Sequence, residues 1–370
     1  MSIRFAGPGD DVYLRDLNDP SKKLKQILWG DFLNVVEETP DLLKVSWGKD
    51  KTGNPVHFWV RRQDTQAERL LELVFVDVGQ GDGCLLVVPL ADGSERLMLV
   101  DAGEGDNMLR FLLWRFGKFR NDFHFHAAVI THPDQDHYLG FQKLFELPTV
   151  HVDNVYHNGI GERQGADPLG PLDAARRHLV DLVASHADAQ ALYGGAIDQG
   201  GKRYARLMRT ALQSGRVGNV QMLSTATALI ENGRAWMPGF SPATNADATI
   251  EVLGPVVEPD AAGQPRLRTF GASISAPAMD VGKTKNGHSV LLRLSYRGLS
   301  LLLGGDLNRP AENFLLRHYA GIAAGQPLSA AVQGARARFQ SDVMKSCHHG
   351  ATDVTDEFLQ AVNPFAFVVS

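Results

Sequence analysis

Cysteine is nearly absent: Cys84 and Cys347 are the only two in 370 residues. Two thiols make no disulfide framework, and neither has a partner at a zinc-binding spacing. Metal chemistry in this chain must therefore rest on histidine and carboxylate. Positive charge is also scarce. The formal net charge is -5, which excludes a chain that coats nucleic acid through overall basicity; contact with nucleic acid would need a local patch. No window approaches the ~20 apolar residues that a membrane-spanning helix requires. Met1 to Gly7 lack a cationic start followed by an apolar core, so no secretory leader is expected. These absences lead us to expect a soluble protein of the reducing cytoplasm with no membrane contact. With 44% hydrophobic and 21% charged residues, the chain has material for a large core and a smaller second domain.

The densest chemistry lies in Thr131-His132-Pro133-Asp134-Gln135-Asp136-His137-Tyr138-Leu139-Gly140. It follows Ala127 to Ile130, a short branched run that reads as a buried strand. Pro133 prevents the strand from continuing. Two imidazoles and two carboxylates are thus gathered on one loop, enough to hold one or two divalent cations. The competing reading is a polar loop whose side chains cap a helix starting near Tyr138. One capping aspartate would be ordinary; four ligand-type residues in six positions would not.

Residues 1–70 show short strand-like runs: Tyr13-Leu14, Gln26 to Trp29, Phe32 to Val36, Leu42 to Trp47 and Val56 to Val60. Turn residues separate them, which points to a small antiparallel barrel. The pattern Trp29-Gly30-Asp31, Val45 to Gly48 and Phe58-Trp59-Val60 resembles bacterial SH3-like domains. That resemblance implies a module docking a protein partner or, equally, a cap on the main domain. Asp64 to Arg69 reads as the linker.

From residue 71 onward the chain alternates strand and helix signals. Asp77-Val78-Gly79-Gln80-Gly81-Asp82-Gly83 joins two apolar strands. No Gly-Lys-Ser/Thr follows, so it is not a phosphate loop. Its glycines suit close backbone approach to a site, with Gln80 and Asp82 at the rim. A strand ending in Asp101 comes next, then a helix over Met108 to Phe116. Apolar residues from Leu172 to Leu192 have helical spacing, and a second helix spans Gly201 to Leu212. On it Lys202, Arg206 and Arg209 share a face, able to meet a phosphate backbone or simply to face water. Residues 159–248 read as an insertion. A polar loop runs from Glu258 to Asn286. His288 precedes a hairpin, Asp306 ends an apolar strand, Gln326 to Gln340 reads as a loop, and His348-His349-Gly350 follows one more strand.

Taken in order, Asp77 to Asp82, the His-x-Asp-x-Asp-His set, Gly305-Asp306 and His348-His349-Gly350 resemble the metallo-β-lactamase fold. More narrowly, they resemble the soluble hydrolase domain of the competence DNA-uptake protein ComEC and its stand-alone relatives. The resemblance covers about residues 73–370 apart from the insertion. It implies an α/β protein with four αββα layers, over residues 71–370, after the small all-β barrel. It also implies two divalent cations. His132 and Asp134 would hold the first, Asp136 and His137 the second, with Asp306 bridging. His348 or His349, with His348 favoured, would complete the second site, and His288 would complete the first. Asp101 would orient a ligand histidine; Asp77, Gln80 and Asp82 would border the site. Asp134 stands where the wider superfamily has histidine, which raises the oxygen share and makes manganese a rival to zinc. Relatives continue past Val368-Val369-Ser370, which implies a shortened or incomplete C-terminus.

The implied chemistry is metal-dependent hydrolysis, with Asp136 and His137 as its catalytic pair, Asp136 taking a proton from water. The favoured reading is a phosphodiesterase, a nuclease acting on nucleic acid. A hydrolase of a nucleotide signal, lactone or ester is the first alternative, and a partner-binding component with a structural metal the second.

Overall fold

The computed structural model describes residues 2–90, 92–195, 202–245, 247–271 and 279–370. The chain is mixed α/β with several sheets. It divides into two compact units, Met1–Glu72 with Ala91–Glu95, and Leu73–Leu90 with Arg96–Ser370.

The first unit is built on one antiparallel sheet of seven strands. In spatial order they are Lys23–Gln26, Tyr13–Arg15, Pro55–Arg61, Leu42–Lys49, Phe32–Glu38, Ser2–Ala6 and Thr65–Gln66. Strand alternation sets the core: Leu33 and Val35 are buried while Phe32 and Asn34 between them face out, as a one-sided sheet requires. Leu14, Leu43, Val45 and Val60 join that core. The expected strand over Gln26 to Trp29 stops at Gln26. Gly30, at φ 88°, and Asp31 turn the chain there, and the Asp31 carboxylate accepts the Leu28 N–H at 2.8 Å. Leu28 and Trp29 are left exposed on the turn.

The second unit holds two large sheets. One runs Val217–Met222, Val150–His157, Phe123–Val129, Glu95–Ala102, Gly83–Pro89, Glu72–Phe75, with its first four strands parallel. Leu85 and Val87 pack with the helices Asn107–Arg115, Phe141–Glu146 and Arg203–Gln213. Their alternate neighbours Leu86 and Val88 are also buried, so this sheet is covered on both faces. The other runs Leu229–Glu231, Arg234–Trp236, Ala248–Gly254, Leu291–Tyr296, Leu299–Leu303, Val343–Lys345, Ala366–Val368. Its last three strands are parallel. Leu302 and Met344 pack with the helices Arg309–Ala320, Val332–Phe339 and Asp356–Val362, and Leu301 and Leu303 are buried on the opposite face. A small sheet of His178–Leu179, Pro265–Arg268 and Glu258–Pro259 lies apart.

Further expectations fail. Asp64 to Arg69 is not wholly a linker, since Thr65–Gln66 pairs with Ser2–Ala6, and the stretch read as a loop over Glu258 to Asn286 holds the strands Glu258–Pro259 and Pro265–Arg268 and most of the helix Val281–Gly287. Leu172 to Leu192 is not one helix: only His186–Tyr193 is helical, capped by Ser185. Earlier, the Asp173 carboxylate accepts the Arg177 and His178 N–H groups in a turn, and Leu172, Leu179 and Leu182 cluster with Met222 and Leu267. Residues 159–248 are not wholly an insertion, because Val217–Met222 is the edge strand of the six-stranded sheet and residues 229–236 add two strands to the other. The presumed loop over Gln326 to Gln340 carries the helix Val332–Phe339, for which Ala331, Ala335 and Phe339, four apart, supply a buried seam. Among the described residues, no helix is long and apolar enough to cross a membrane.

Candidate metal centre

Parallel strands bring their C-terminal ends to one edge, and the ligand-type residues sit on those ends. Asp101 ends Glu95–Ala102, the His132–His137 loop follows Phe123–Val129, Asp306 follows Leu299–Leu303, and the histidine pair follows Val343–Lys345. Ligand atoms of Asp82, His137, Asp306 and His349 all come within 4.8 Å of one another. The glycine-rich turn makes this possible at one point. A Cβ on Gly81, at φ 100°, would lie 1.6 Å from the Asp136 carbonyl oxygen. Only a residue without a side chain lets the Asp82 turn lie against the His132–His137 loop. Asp82 thereby belongs to the cluster itself rather than to its rim.

Asp306 is the pivot. Its Oδ1 lies 3.2 Å from His137 Nε2 and 3.5 Å from His349 Nε2. Its Oδ2 lies 3.9 Å from both His132 Nε2 and His348 Nε2. One carboxylate thus offers each oxygen to a pair of imidazoles. His132 Nε2, His137 Nε2 and Asp306 Oδ1 are buried without a hydrogen bond of proper alignment. An unsatisfied buried polar atom costs about 1–3 kcal/mol, so these atoms call for a further partner, and the cluster of Asp82, His137, Asp306 and His349 could hold a metal ion. Histidine nitrogen and carboxylate oxygen are the donors that zinc and manganese accept.

The surrounding residues hold these donors in place. Asp101, in the left-handed region at φ 56°, accepts from the Thr131 N–H at 2.8 Å, the Thr131 hydroxyl at 2.7 Å and His137 Nδ1 at 2.8 Å. That bond fixes the tautomer that turns His137 Nε2 inward. Burial alone would lower the His137 pKa, yet Asp101 and Asp306 raise it well above the ordinary value. Gln80 donates to Asp136 Oδ2 at 3.3 Å, and His349 Nε2 lies 3.5 Å from the same oxygen. Behind His349, Asp82 Oδ1 lies 3.0 Å from Nδ1, and the buried ammonium of Lys345 bonds Asp82 at 2.5 and 2.6 Å. Asp136 and Asp82 together raise His349 to about 9. Hydrogen bonding by His349 holds the Asp136 carboxyl well below the usual range.

Several assignments need correction. His349, not His348, stands beside His137 and Asp136. Both histidines lie in a 3-10 turn at positive φ, 48° and 54°, and both come within 4 Å of Asp306. His288 faces away from the centre: its Nε2 lies 2.6 Å from the Arg268 carbonyl oxygen and its ring packs on Phe270. Burial lowers its pKa to about 4. Its neighbour Ser289 is the inward residue, with Oγ 3.3 Å from His132 Nδ1 and accepting the Asp306 N–H at 3.1 Å. Asp134 holds the N-cap position of Gln135–Tyr138 but makes no capping bond. Its Oδ2 lies 3.4 Å from His132 Nε2, and its Oδ1 pairs with Lys285. Burial would raise its pKa, but His132 and Lys285 hold it near about 2.

Asp77 caps its own turn, accepting the Gly79 N–H at 3.1 Å. The basic face divides. Lys202 is the N-cap of Arg203–Gln213, Arg206 is exposed, and Arg209 Nε donates to the Tyr193 carbonyl at 3.1 Å. Arg203, which lies beside that face, reaches Gln135 of the ligand loop at 2.7 Å. Sequence reading missed Lys285, Lys345 and Ser289, for which no local pattern speaks; Ser289 was adjacent to the residue it chose. No family model matches the chain, and no curated protein matches it.

Proposed function

We propose that the second unit is a metal-dependent hydrolase of the metallo-β-lactamase fold, cleaving phosphodiester bonds. The observation that carries the metal dependence is the cluster of Asp82, His137, Asp306 and His349, whose ligand atoms all lie within 4.8 Å of one another. The fold reading is supported by two sheets, each packed with its own helices on one face and buried on the other. The first unit we read as an SH3-like domain, on its short antiparallel strands and one-sided core.

His137, His349 and Asp306 Oδ1, with Asp136 beside them and Asp82 in the same cluster, would hold one divalent cation; His132, His348 and Asp306 Oδ2 border a second position. A bound cation there lowers the pKa of water toward neutrality and polarises the scissile group. The protein's own residues set the geometry. Asp101 aims His137, Lys345 and Asp82 back His349, and Ser289 ties His132 to Asp306. Asp136, held ionised by His349 and Gln80, suits a ligand better than a proton acceptor. Arg203, beside Gln135 on the ligand loop, supplies a cation for an anionic substrate, which favours phosphodiesters over neutral esters or lactones.

The test is incubation of the full chain with single- and double-stranded DNA, RNA and a chromogenic phosphodiester, with manganese or zinc and with a chelator. Cleavage that needs metal and vanishes in Asp306→Ala supports the reading. Absence of cleavage of every phosphodiester, or cleavage indifferent to chelator and to Asp306→Ala, refutes it. Turnover of esters or lactones in place of phosphodiesters transfers the substrate class and leaves the metal centre standing.

A further inference from the structure

The two positions around Asp306 are not alike, and the difference lies in the helix Val281–Gly287. Asp280 caps it, accepting the Lys283 N–H at 3.0 Å. Its last turn directs Lys285 and Asn286 at the ligand loop. The Lys285 ammonium sits on Asp134 Oδ1 and lies 3.5 Å from Glu162 Oε1, with its side chain 14% exposed. The Asn286 amide, in the orientation its neighbours require, donates to Asp134 Oδ2 and to the Gly282 carbonyl, both at 2.9 Å. Both oxygens of Asp134 are therefore taken by donors of the chain itself. A cation on Asp134 would have to displace them, leaving a half-buried ammonium facing Glu162 and, across it, a new divalent charge. Like charges at such range in a poorly solvated site repel strongly. The other imidazole expected there, His288, is committed to Arg268.

We infer that Lys285 takes the place of the first metal ion, so that the centre carries one divalent cation, beside His137, His349 and Asp306 Oδ1, and one fixed ammonium on Asp134. This rests on the metal-dependent reading above. The ammonium supplies attraction for an anionic substrate oxygen as a point charge, without offering coordination positions. Lys285 is then the residue that fixes the metal count, and Asp134, the residue that departs from the wider superfamily's histidine, is its anchor.

The experiment is metal stoichiometry. The full chain is stripped with chelator, dialysed to equilibrium against manganese or zinc, and its metal-to-protein ratio measured by mass spectrometry. The inference expects one ion per chain in the native protein, two in Lys285→Met, and one in Lys285→Arg. Two ions in the native chain overturn it while leaving the metal centre intact. One ion in a folded Lys285→Met also overturns it, because the lysine then has only a structural role. No ion in the native chain removes the metal reading and this inference with it. Circular dichroism reports folding of each variant, and Lys285→Gln replaces Lys285→Met in the comparison should the latter not fold.

Discussion

The two sides of Asp306 carry the same kinds of residues arranged to opposite ends. Each has two imidazoles and a nearby aspartate paired with a lysine. On the Oδ1 side, Lys345 is bonded to Asp82, and Asp82 in turn contacts the Nδ1 edge of His349, leaving Nε2 turned to Asp136 and Asp306. On the Oδ2 side, Lys285 is bonded to Asp134, the carboxylate that lies against His132 Nε2 itself. A lysine one residue removed from the donors steadies them; a lysine on the donor competes for it. Under the proposed reading, position, not composition, separates a half that would bind a cation from one that already holds a positive charge.

The largest effect should come from removing what both sides share. Asp306→Ala is expected to abolish metal retention after dialysis, because its two oxygens together face all four imidazoles. Next comes the histidine pair. His349→Ala should lose the cation, whereas His348→Ala should retain one ion per chain, measured by the same metal analysis; equal loss from both would erase the distinction between the sides. Asp101→Asn acts directly on His137, and on His132 only through the Thr131 hydroxyl. Loss of such an orienting carboxylate typically costs 10–100-fold in metal affinity, and titration with a metal-sensitive dye would register a fall of about that size.

The smallest effect is a control at a group outside the donor cluster. Glu312 is fully buried, with one oxygen accepting the Thr355 N–H at 2.6 Å and the other unpartnered. Burial raises its pKa from 4.5 to about 8, against the opposing bond from Thr355. A folded-state pKa above the unfolded one means the folded chain binds more protons between those values. The contribution of Glu312 to stability is therefore full below pH 4.5 and is lost as pH rises toward about 8. Glu312→Gln should flatten that part of the pH–stability curve, measured by thermal melting, with metal content unchanged.

The candidate donors were legible in the sequence because histidine and aspartate packed between an apolar strand and a glycine have little other use. His132, Asp134, Asp136, His137 and Asp306 announce themselves that way. What sequence could not settle was direction. His288 and Ser289 are adjacent, and which one faces the centre depends on how the helix Val281–Gly287 hands over to the strand Leu291–Tyr296. His348 was favoured over His349 by family resemblance, which says nothing of the left-handed turn that carries both. Lys285 was invisible, since a lysine in a polar stretch reads as solvated until the fold sets it against Asp134. The fold was clearest where apolar runs were continuous, as in Leu299 to Leu303. It was least clear where helices had sparse seams, as in Val332–Phe339, or where a side-chain-held turn interrupted a helical spacing, as at Asp173.

Asp82 lies near the start of the second unit and His349 near its end, yet Gly81 seats one against the same loop that the other meets. No partial chain holds the donor set. A cation that recognises only the completed arrangement is linked to folding by mass action: at a hundred times its dissociation constant it adds about 2.7 kcal/mol to the stability of the finished unit. The melting temperature then becomes a binding isotherm in its own right, rising with metal concentration before any substrate is known.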